Sequence, residues 1–391
     1  MKVAVFLPNW LGDLVMATPV LRALRRKFGK NAYIVGILRP YLADVLAGTN
    51  WLDEQWFFDP RSEDRSQRAW AVANRMRSAR FDLAVLLTNS LRAAIMAWWG
   101  RASERIGYVR NGRGPLLTSK LYPHQFNGRI VPEPMVETYL AISDALGCVN
   151  ESSQLELTMT AADQQSADMV FKNLGLRRDG RLILLNCSGA YGAAKLWPVE
   201  YFAQLARRIV TECDHDVLVM CGPKERTIAN EIIKLSGSPG AFSMAHQPLD
   251  LGTAKACIRR GRLMVSTDSG PRHVAAALGK PVITLYGPML PIWSKNPTQR
   301  AIDLVLDLDC IGCHKRVCPL GHHRCMRELT VEKVFAAVLK MLEIYPAVPK
   351  SQSQQNVKGL EPEFQPSGPH FPAFVGQANV LDTGQGTAAP I

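Results

Sequence analysis

Residues Leu263–Pro288, with the sequence LMVSTDSGPRHVAAALGKPVITLYGP, hold two apolar runs separated by a polar turn and an alanine-rich segment. The apolar run Leu263–Ser266 predicts a buried strand, and the polar turn Thr267–Gly270 follows it. The alanine-rich segment His273–Leu278 predicts a helix, and Val282–Tyr286 predicts the next strand. A strand, a helix and a strand in so short a stretch form a β–α–β unit, which predicts a parallel sheet.

The turn between the first strand and the helix stands where such sheets bind ligands. Pro271 is at a favoured first helical position, and Gly279 suits a left-handed helix end. Ligands of parallel sheets bind beyond the carboxyl ends of the strands, where free N–H groups and the helix dipole favour phosphate. Asp268 and Ser269 lie at that position. Helix capping is the simpler role for both residues, so phosphate binding needs support from other parts of the chain.

The alternation of strands and helices extends along most of the chain. Further strands are predicted at Lys2–Pro8, Ala32–Leu38, Phe81–Leu87, Arg181–Asn186 and Asp216–Cys221, and helices at Glu137–Gly147, Val199–Cys213, Leu249–Arg260 and Thr330–Ile344. Another helix follows the first strand, beginning either near Leu14 with a kink at Pro19 or at Thr18 as its cap. This pattern predicts an α/β protein with doubly wound parallel sheets.

The length of 391 residues is enough for two domains with separate cores. We predict a first Rossmann-like domain over residues 1–150 and a second over residues 151–330, with Asn150–Ser153 as a linker. A final helix over residues 331–345 is expected to pack back on the fold. Residues 346–391 are rich in Gln, Ser, Pro and Gly, which predicts a disordered tail.

The chain has a formal net charge of +12, which favours acidic partners. It carries no nucleic-acid-binding signature, so we expect no nucleic-acid partner. Phosphorylated substrates or an anionic membrane surface are the expected partners. No apolar run reaches the roughly 18–20 residues of a transmembrane helix, and nothing at the amino terminus predicts a signal peptide. We therefore expect a cytoplasmic protein whose nine cysteines are mostly reduced.

Residues suited to phosphate follow three predicted strands of the second half. They are the small-residue loop Cys187–Lys195, the turn Gly222–Glu225 and the turn Thr267–Gly270. In the first half, the carboxylate of Asp13 follows the first strand. This division predicts an enzyme that holds a nucleotide in one domain and activates a nucleophile in the other. Taken alone, Asp13 would be a turn or cap residue and Lys195 a surface lysine.

Four segments of the chain are specific as a set. They are Pro8–Asp13 with Ala17–Pro19, Lys195-x-Trp197-Pro198, Thr267–Pro271 with His273, and the cysteine-containing segment Cys310–Met326. Together they resemble the bacterial lipopolysaccharide heptosyltransferases, which are glycosyltransferases of family nine. The cysteine-containing segment looks most like the heptosyltransferase II branch. The resemblance runs from Pro8 to about Met326.

The resemblance implies the GT-B fold, in which two Rossmann-like domains face each other across a cleft. It implies an inverting transfer of L-glycero-D-manno-heptose from ADP-heptose to the Kdo/heptose inner core of lipid A. That acceptor is membrane-anchored, so the protein would contact the inner face of the cytoplasmic membrane peripherally. The first domain would bind the acceptor and the second the nucleotide sugar.

The resemblance also implies roles for the matching residues. Asp13 would be the general base that takes the acceptor hydroxyl proton, and Lys195 would hold the diphosphate of the leaving ADP. Asp268 would contact the donor sugar or steady Lys195, while Ser269 and Gly270 would present N–H groups to phosphate. The remaining candidates on the donor side are Ser188, Glu225 as acceptor of a ribose hydroxyl, and His273, for which packing in the core is the alternative.

The cysteines Cys310, Cys313, Cys318 and Cys325 supply four thiolates, which is enough for a zinc ion. Their spacing is looser than in common zinc ribbons, and sugar transfer of this kind requires no metal. The basic residues around them also suit contact with an anionic acceptor. We predict reduced thiols, no bound metal and no cofactor, since ADP-heptose is a substrate.

Two other functions remain open from the sequence. A GT-B glycosyltransferase that uses another nucleotide sugar would need the same residue types at the same strand ends. A non-catalytic module that binds a sugar nucleotide or a lipid would keep the phosphate-suited loops without needing Asp13. Nucleoside diphosphate release in the presence of an acceptor distinguishes all three.

Overall fold

Six parallel strands form a sheet in the first half of the chain, and six more form a second sheet in the second half. A computed structural model describes residues 1–148 and 150–346. The predicted tail lies outside the described residues except for Pro346. Both sheets are covered by helices on two sides, which confirms the predicted α/β class with Rossmann-like domains. The boundary near residue 150 stays a prediction.

The first sheet has the strand order β3-β2-β1-β4-β5-β6, with every neighbouring pair parallel. Its strands are β1 Lys2–Phe6, β2 Tyr33–Leu38, β3 Glu54–Phe57, β4 Leu83–Leu86, β5 Glu104–Tyr108 and β6 Ser119–Leu121. A two-stranded antiparallel hairpin follows, with β7 Gln125–Phe126 and β8 Arg129–Ile130. The helices of this half are α1 Leu11–Met16, α2 Thr18–Phe28, α3 Ala69–Ala79, α4 Leu91–Trp99 and α5 Met135–Ala145.

The second sheet repeats the same topology in the order β11-β10-β9-β12-β13-β14. Its strands are β9 Leu182–Asn186, β10 Asp216–Met220, β11 Ala241–Ser243, β12 Leu263–Thr267, β13 Val282–Leu285 and β14 Ala301–Leu304. The helices are α6 Ala161–Leu174, α7 Val199–Cys213, α8 Arg226–Ser236, α9 Leu251–Arg260, α10 Gly270–Ala277, α11 Arg324–Arg327 and α12 Val331–Ile344. Within residues 1–148 and 150–346, no helix is long and apolar enough to cross a membrane.

The cores explain why the sequence folds into these layers. Every residue of β9 and β12 is buried, as expected for parallel strands covered on both faces. One apolar cluster contains buried side chains from both halves, including Leu14 of α1 and Ala275 of α10. The inner layers of the two domains therefore share one core, and α1 contacts α10 directly. Separate outer cores lie beneath α3 and α4 in the first half and beneath α7 and α12 in the second.

The helix after β1 begins earlier than either predicted alternative. α1 starts at Leu11, and Ala17 then separates it from α2. Pro19 lies in the first turn of α2, where a missing N–H group costs no helical hydrogen bond. The predicted alternative with Thr18 as cap agrees with the start of α2 to within one residue, but the sequence pattern gave no signal for the short first helix.

The β–α–β unit at Leu263–Pro288 differs from its prediction by only a few residues. α10 begins at Gly270 and not at His273, while β12 runs one residue further to Thr267. Gly279 has the left-handed backbone conformation expected of it, with a φ of +70°. The final helix α12 packs on the outer core of the second domain, and the indole N–H of Trp197 donates to the backbone oxygen of Leu329 just before it, at 2.8 Å.

Candidate active site

The three loops expected to suit phosphate lie next to one another. β9 stands between β10 and β12, and the loops after these three strands therefore meet at the carboxyl edge of the second sheet. The strand order reverses between β9 and β12, which is where open α/β sheets bind their ligands. The structure thus brings together the loop Cys187–Lys195, the turn Gly222–Glu225 and the turn after β12.

A buried ion pair joins two of these loops. Nζ of Lys195 lies 2.6 Å from Oδ2 of Asp268 and donates also to the backbone oxygen of Asp268 at 2.7 Å. Both residues are 9% exposed. Burying two charges costs desolvation that an apolar pair of the same size avoids, so stability alone does not account for this pair. It fixes the ammonium group at the carboxyl edge of the sheet, in agreement with the expectation that Asp268 steadies Lys195.

Arg272, which the sequence analysis did not single out, completes this arrangement. Its Nε lies 3.2 Å from Oδ1 of Asp268, one turn along α10, and its side chain is almost fully buried. Burial by itself would raise the pKa of Asp268, but the charges of Arg272 and Lys195 hold that pKa at about 2. Asp268 is therefore ionised at any pH at which the protein would work. A basic residue four positions after a strand-end aspartate was the signal available in the sequence.

Asp13 lies on α1, the helix that contacts α10 of the second domain. It lies in the first turn of α1, but the N-cap residue of that helix is Trp10, so Asp13 is not its cap. Burial raises the pKa of Asp13 to about 6, and the negative charge of Asp268 contributes in the same direction, while Lys195 opposes it. The geometric link is the packing of α1, which carries Asp13, directly against α10, which begins two residues after Asp268.

Two glycines allow this close approach of the two domains. A Cβ atom at Gly12 would stand 2.9 Å from Cδ2 of His273, and one at Gly270 would stand 2.8 Å from Cβ of Leu11. Real Cβ atoms do not approach other atoms so closely, so larger residues would push α1 away from α10. Gly270, predicted only as a phosphate-binding residue, is therefore also a point of contact between the domains.

His273 has the surroundings of a packing residue. Its imidazole is buried against Gly12, and within the described part of the chain its Nδ1 has no hydrogen-bond partner. Burial and the neighbouring charge of Arg272 keep its pKa well below the usual value, so the ring is neutral. The geometry favours the packing alternative for His273, and a direct contact with a donor stays a prediction.

The serines on the donor side belong to a buried polar network. Nδ2 of Asn186, at the end of β9, donates to the hydroxyl of Ser269 at 2.8 Å and to that of Ser266 at 2.9 Å. The hydroxyl of Thr267 donates to the backbone oxygen of Ser188 at 2.6 Å. These bonds fix the loops after β9 and β12 to each other. Asn186 was not predicted, because a single amide at the end of an apolar strand carries no distinctive pattern.

Glu225 closes the turn in which it lies. Its Oε2 accepts the backbone N–H of Gly222 at 2.9 Å. One carboxylate oxygen is thereby used within the turn Gly222–Glu225, next to the carboxyl end of β10. The predicted contact of Glu225 with a ribose hydroxyl stays a prediction.

The cysteine-containing segment packs against the loop that carries Lys195. The backbone N–H of Ala194 donates to the backbone oxygen of Arg316 at 2.9 Å. The backbone oxygen of Ala194 lies within hydrogen-bond distance of Nε2 of His323, also at 2.9 Å. The hydroxyl of Tyr191 donates to the backbone oxygen of His314 at 2.6 Å. This segment therefore holds the phosphate-suited loop in place from outside the sheet.

The four cysteines of this segment line one small cavity, which is also lined by Ala194 and His323. Backbone N–H groups around Cys318 lower the pKa of its thiol, and the N–H of His323 has the largest effect. Burial raises the pKa of Cys325 to about 11, and the other three cysteines add to that effect. Within residues 1–148 and 150–346, no group of three Cys, His, Asp or Glu side chains is arranged to hold a metal ion.

Comparison with known proteins gives the following relatives. The profile of glycosyltransferase family 9 (heptosyltransferase) matches residues 69–324. Lipooligosaccharide heptosyltransferase 2 of Haemophilus ducreyi is 27% identical over 88% of this chain and 99% of its own length. A family 9 glycosyltransferase structure from Veillonella parvula matches with a TM-score of 0.76 at 21% identity, covering 88% of this chain and 97% of that one. The structure of E. coli ADP-heptose heptosyltransferase II matches with a TM-score of 0.70 at 22% identity, covering 88% and 99%.

Elemental analysis tests the state of the cysteines. We expect the protein, purified without chelator, to contain far less than one equivalent of metal per chain, because its thiols are predicted to be free. Four thiols per chain should then react with a thiol reagent at this segment after mild unfolding. About one equivalent of zinc or iron in the unchanged protein, absent from a Cys313→Ser variant, would contradict the prediction.

Proposed function

This chain belongs to glycosyltransferase family 9, and we propose that it transfers L-glycero-D-manno-heptose from ADP-heptose to the Kdo/heptose inner core of a lipopolysaccharide acceptor. The observation that carries the proposal is the buried Lys195–Asp268 pair at the carboxyl edge of the second sheet, with Asp13 on the helix α1 that packs against α10. A binding module would need no such carboxylate facing the phosphate side. The names of the relatives support a heptose donor and a lipopolysaccharide acceptor, while the configuration of the heptose and the Kdo/heptose position are taken from the family resemblance.

On the donor side, this chain offers a fixed cation and a helix end to the diphosphate. The ammonium group of Lys195 is held by Asp268, so it needs little reorganisation when charge develops on the departing ADP. Ser269 and Gly270 lie at the amino-terminal end of α10, where backbone N–H groups and the helix dipole favour anions. We assign the diphosphate to this position, between the loops after β9 and β12.

On the acceptor side, Asp13 serves as the general base. Its pKa of about 6 leaves it mostly ionised near neutral pH and still basic enough to accept a proton. As the acceptor oxygen forms its bond to the anomeric carbon, its proton passes to Asp13. The bond from the anomeric carbon to the phosphate oxygen breaks, and ADP leaves with that electron pair. The step needs no cofactor.

The acceptor of this proposed reaction is anchored in a membrane, so we also propose that the protein works at the cytoplasmic face of the inner membrane. The net charge of +12 supports attraction to anionic lipids. Such contact is peripheral, because it relies on surface charges and side chains and not on a spanning helix.

The donor is tested by supplying nucleotide sugars separately. We expect release of nucleoside diphosphate with ADP-heptose and a heptose-deficient core acceptor, and at least about a hundredfold less with GDP-mannose or UDP-sugars, since the site must recognise both base and sugar. Omitting the acceptor is the control for simple hydrolysis. Faster turnover with another nucleotide sugar would contradict the proposed donor. Binding of ADP without turnover of any nucleotide sugar would contradict the proposal that the protein is an enzyme.

Asp13→Asn tests the general base. We expect the variant to fold and bind ADP normally but to transfer sugar at least about a hundredfold more slowly, because the amide cannot accept the proton. The kcat/KM of the unchanged protein should fall by about tenfold per pH unit below about pH 6, where the Asp13 carboxylate becomes protonated.

The exposed Asp307 provides a matched control, and Asp307→Asn should keep both the rate and the acidic limb of the profile. A near-normal rate for Asp13→Asn at saturating donor and acceptor would exclude Asp13 as the base. An acidic limb that persists unchanged in that variant would assign the titration to another group.

Lys195→Ala tests the cation that serves the leaving group. A charged hydrogen bond is worth roughly 1.5–3 kcal/mol, so we expect the Kd of ADP to rise about ten- to hundredfold. Turnover should fall by about 10²–10³, since the same charge stabilises the departing phosphate. Lys172→Ala, at an exposed position of α6, is the control. Unchanged ADP affinity together with an unchanged rate would show that Lys195 does not touch the donor.

A further inference from the structure

The helix α4 exposes a row of large apolar side chains. Leu91, Ile95 and Trp98 are 42%, 41% and 50% exposed. They are separated by four and three positions, so they lie on one face of the helix. Ala94 and Ala97 on the other side are fully buried against the first sheet. α4 therefore has two apolar sides, of which only one is covered by this chain within the described residues.

Tryptophans of α3 and α4 extend this row into a wider surface. Trp70 of α3 is 60% exposed, and its ring centroid lies 4.6 Å from that of Trp99. Trp99 in turn lies 6.3 Å from Trp98. We call the continuous patch formed by Trp70, Leu91, Ile95, Trp98 and Trp99 the α3–α4 surface. Burying such residues in an apolar phase would be favourable, since each large side chain contributes about 1.5–3 kcal/mol when fully buried.

All charged side chains of the helices α3 and α4 are positive. Neither α3 nor α4 contains an acidic residue. Arg68, Arg77, Arg92 and Arg101 are exposed on or beside the two helices. None of these four arginines takes part in an ion pair within residues 1–148 and 150–346. Exposed tryptophan and leucine flanked by unpaired arginine is the composition of surfaces that bind anionic lipid headgroups.

The α3–α4 surface begins at the edge of the sheet where the acceptor would bind. α4 starts directly after Thr88–Ser90, at the carboxyl end of β4. β4 pairs with β1, and the helix that follows β1, α1, carries Asp13. The guanidinium of the buried Arg113 donates to Oδ1 of Asn89 at 3.0 Å and so holds this loop. A helix of nine residues is about 13 Å long. The surface thus extends from the side of the proposed base along the outside of the first domain.

We propose that the α3–α4 surface docks the protein on an anionic lipid bilayer, with its apolar side chains entering the interfacial region and its arginines contacting headgroup phosphates. This inference rests on the proposed function, because a membrane-anchored acceptor requires the first domain to work at a bilayer. A second copy of the chain is a poorer occupant, since a symmetric dimer would bring the arginines of both copies together. The outer position of α3 and α4 leaves the contact between α1 and α10 unobstructed.

Flotation with vesicles tests the surface. The full chain should bind vesicles containing about a third phosphatidylglycerol, bind pure phosphatidylcholine much more weakly, and dissociate progressively as salt rises, because the arginine contribution is screened. Ile95→Ser/Trp98→Ser should reduce binding at least about tenfold. Arg92→Gln/Arg101→Gln should also reduce it, by about fivefold for each charge removed. Leu339→Ser, at a similarly exposed position of α12, should bind like the unchanged protein.

A soluble assay separates this inference from the proposed function. With ADP-heptose and a delipidated core saccharide, Ile95→Ser/Trp98→Ser should transfer sugar at the unchanged rate, and it should lose activity only on acceptor embedded in vesicles. Normal vesicle binding by both double variants, or no binding by the unchanged chain, would overturn the docking surface whatever the enzyme does. A loss of dimer in Ile95→Ser/Trp98→Ser, measured by light scattering, would assign the surface to a second copy. Vesicle binding without any transfer on either acceptor would leave docking supported and contradict the proposed function.

Discussion

The rest of the site depends on the ion pairs that the buried carboxylate of Asp268 forms with two cations. This carboxylate receives Lys195 from the loop after β9 and Arg272 from α10, so one side chain fixes two loops and a helix at the same edge of the second sheet. Removing the Asp268 carboxylate would leave two buried cations without their counter-charge, at a cost of several kcal/mol. A protein built for stability alone would place apolar side chains here. The arrangement instead suits the diphosphate position that we propose, with an internal counter-charge for the two cations.

The second constraint is the close approach of the two domains. α1 and α10 share one apolar core, and Gly12 and Gly270 leave just enough room for their backbones to meet. Because of this contact, the carboxylate of Asp13 in α1 is influenced by charges in the loops that follow β9 and β12. Burial is the main cause of the elevated pKa of Asp13, and charges of the second domain modify it, with Asp268 raising it and Lys195 lowering it.

The fold could be predicted from the sequence far better than the site. Apolar runs ending in small polar turns revealed most central strands, since strands of a buried parallel sheet are apolar throughout. Asn186 was missed because its partners are distant in sequence, whereas the spacing of Arg272 from Asp268 was a local signal that was not used. The start of α1 was missed because six residues are too few to show helical periodicity. α3 and α4 escaped the prediction because their apolar residues face both the core and the outside.

The charges of the site have a consequence for the proposed reaction. Lys195 and Arg272 offset Asp268 and ionised Asp13, so these four groups carry no net charge before a nucleotide sugar arrives. When the sugar departs, the terminal phosphate of ADP gains one negative charge. At the same moment, Asp13 loses its own negative charge by taking the acceptor proton. The total charge enclosed between the two sheets therefore stays constant through the transfer, and no counter-ion has to enter or leave while the bonds change.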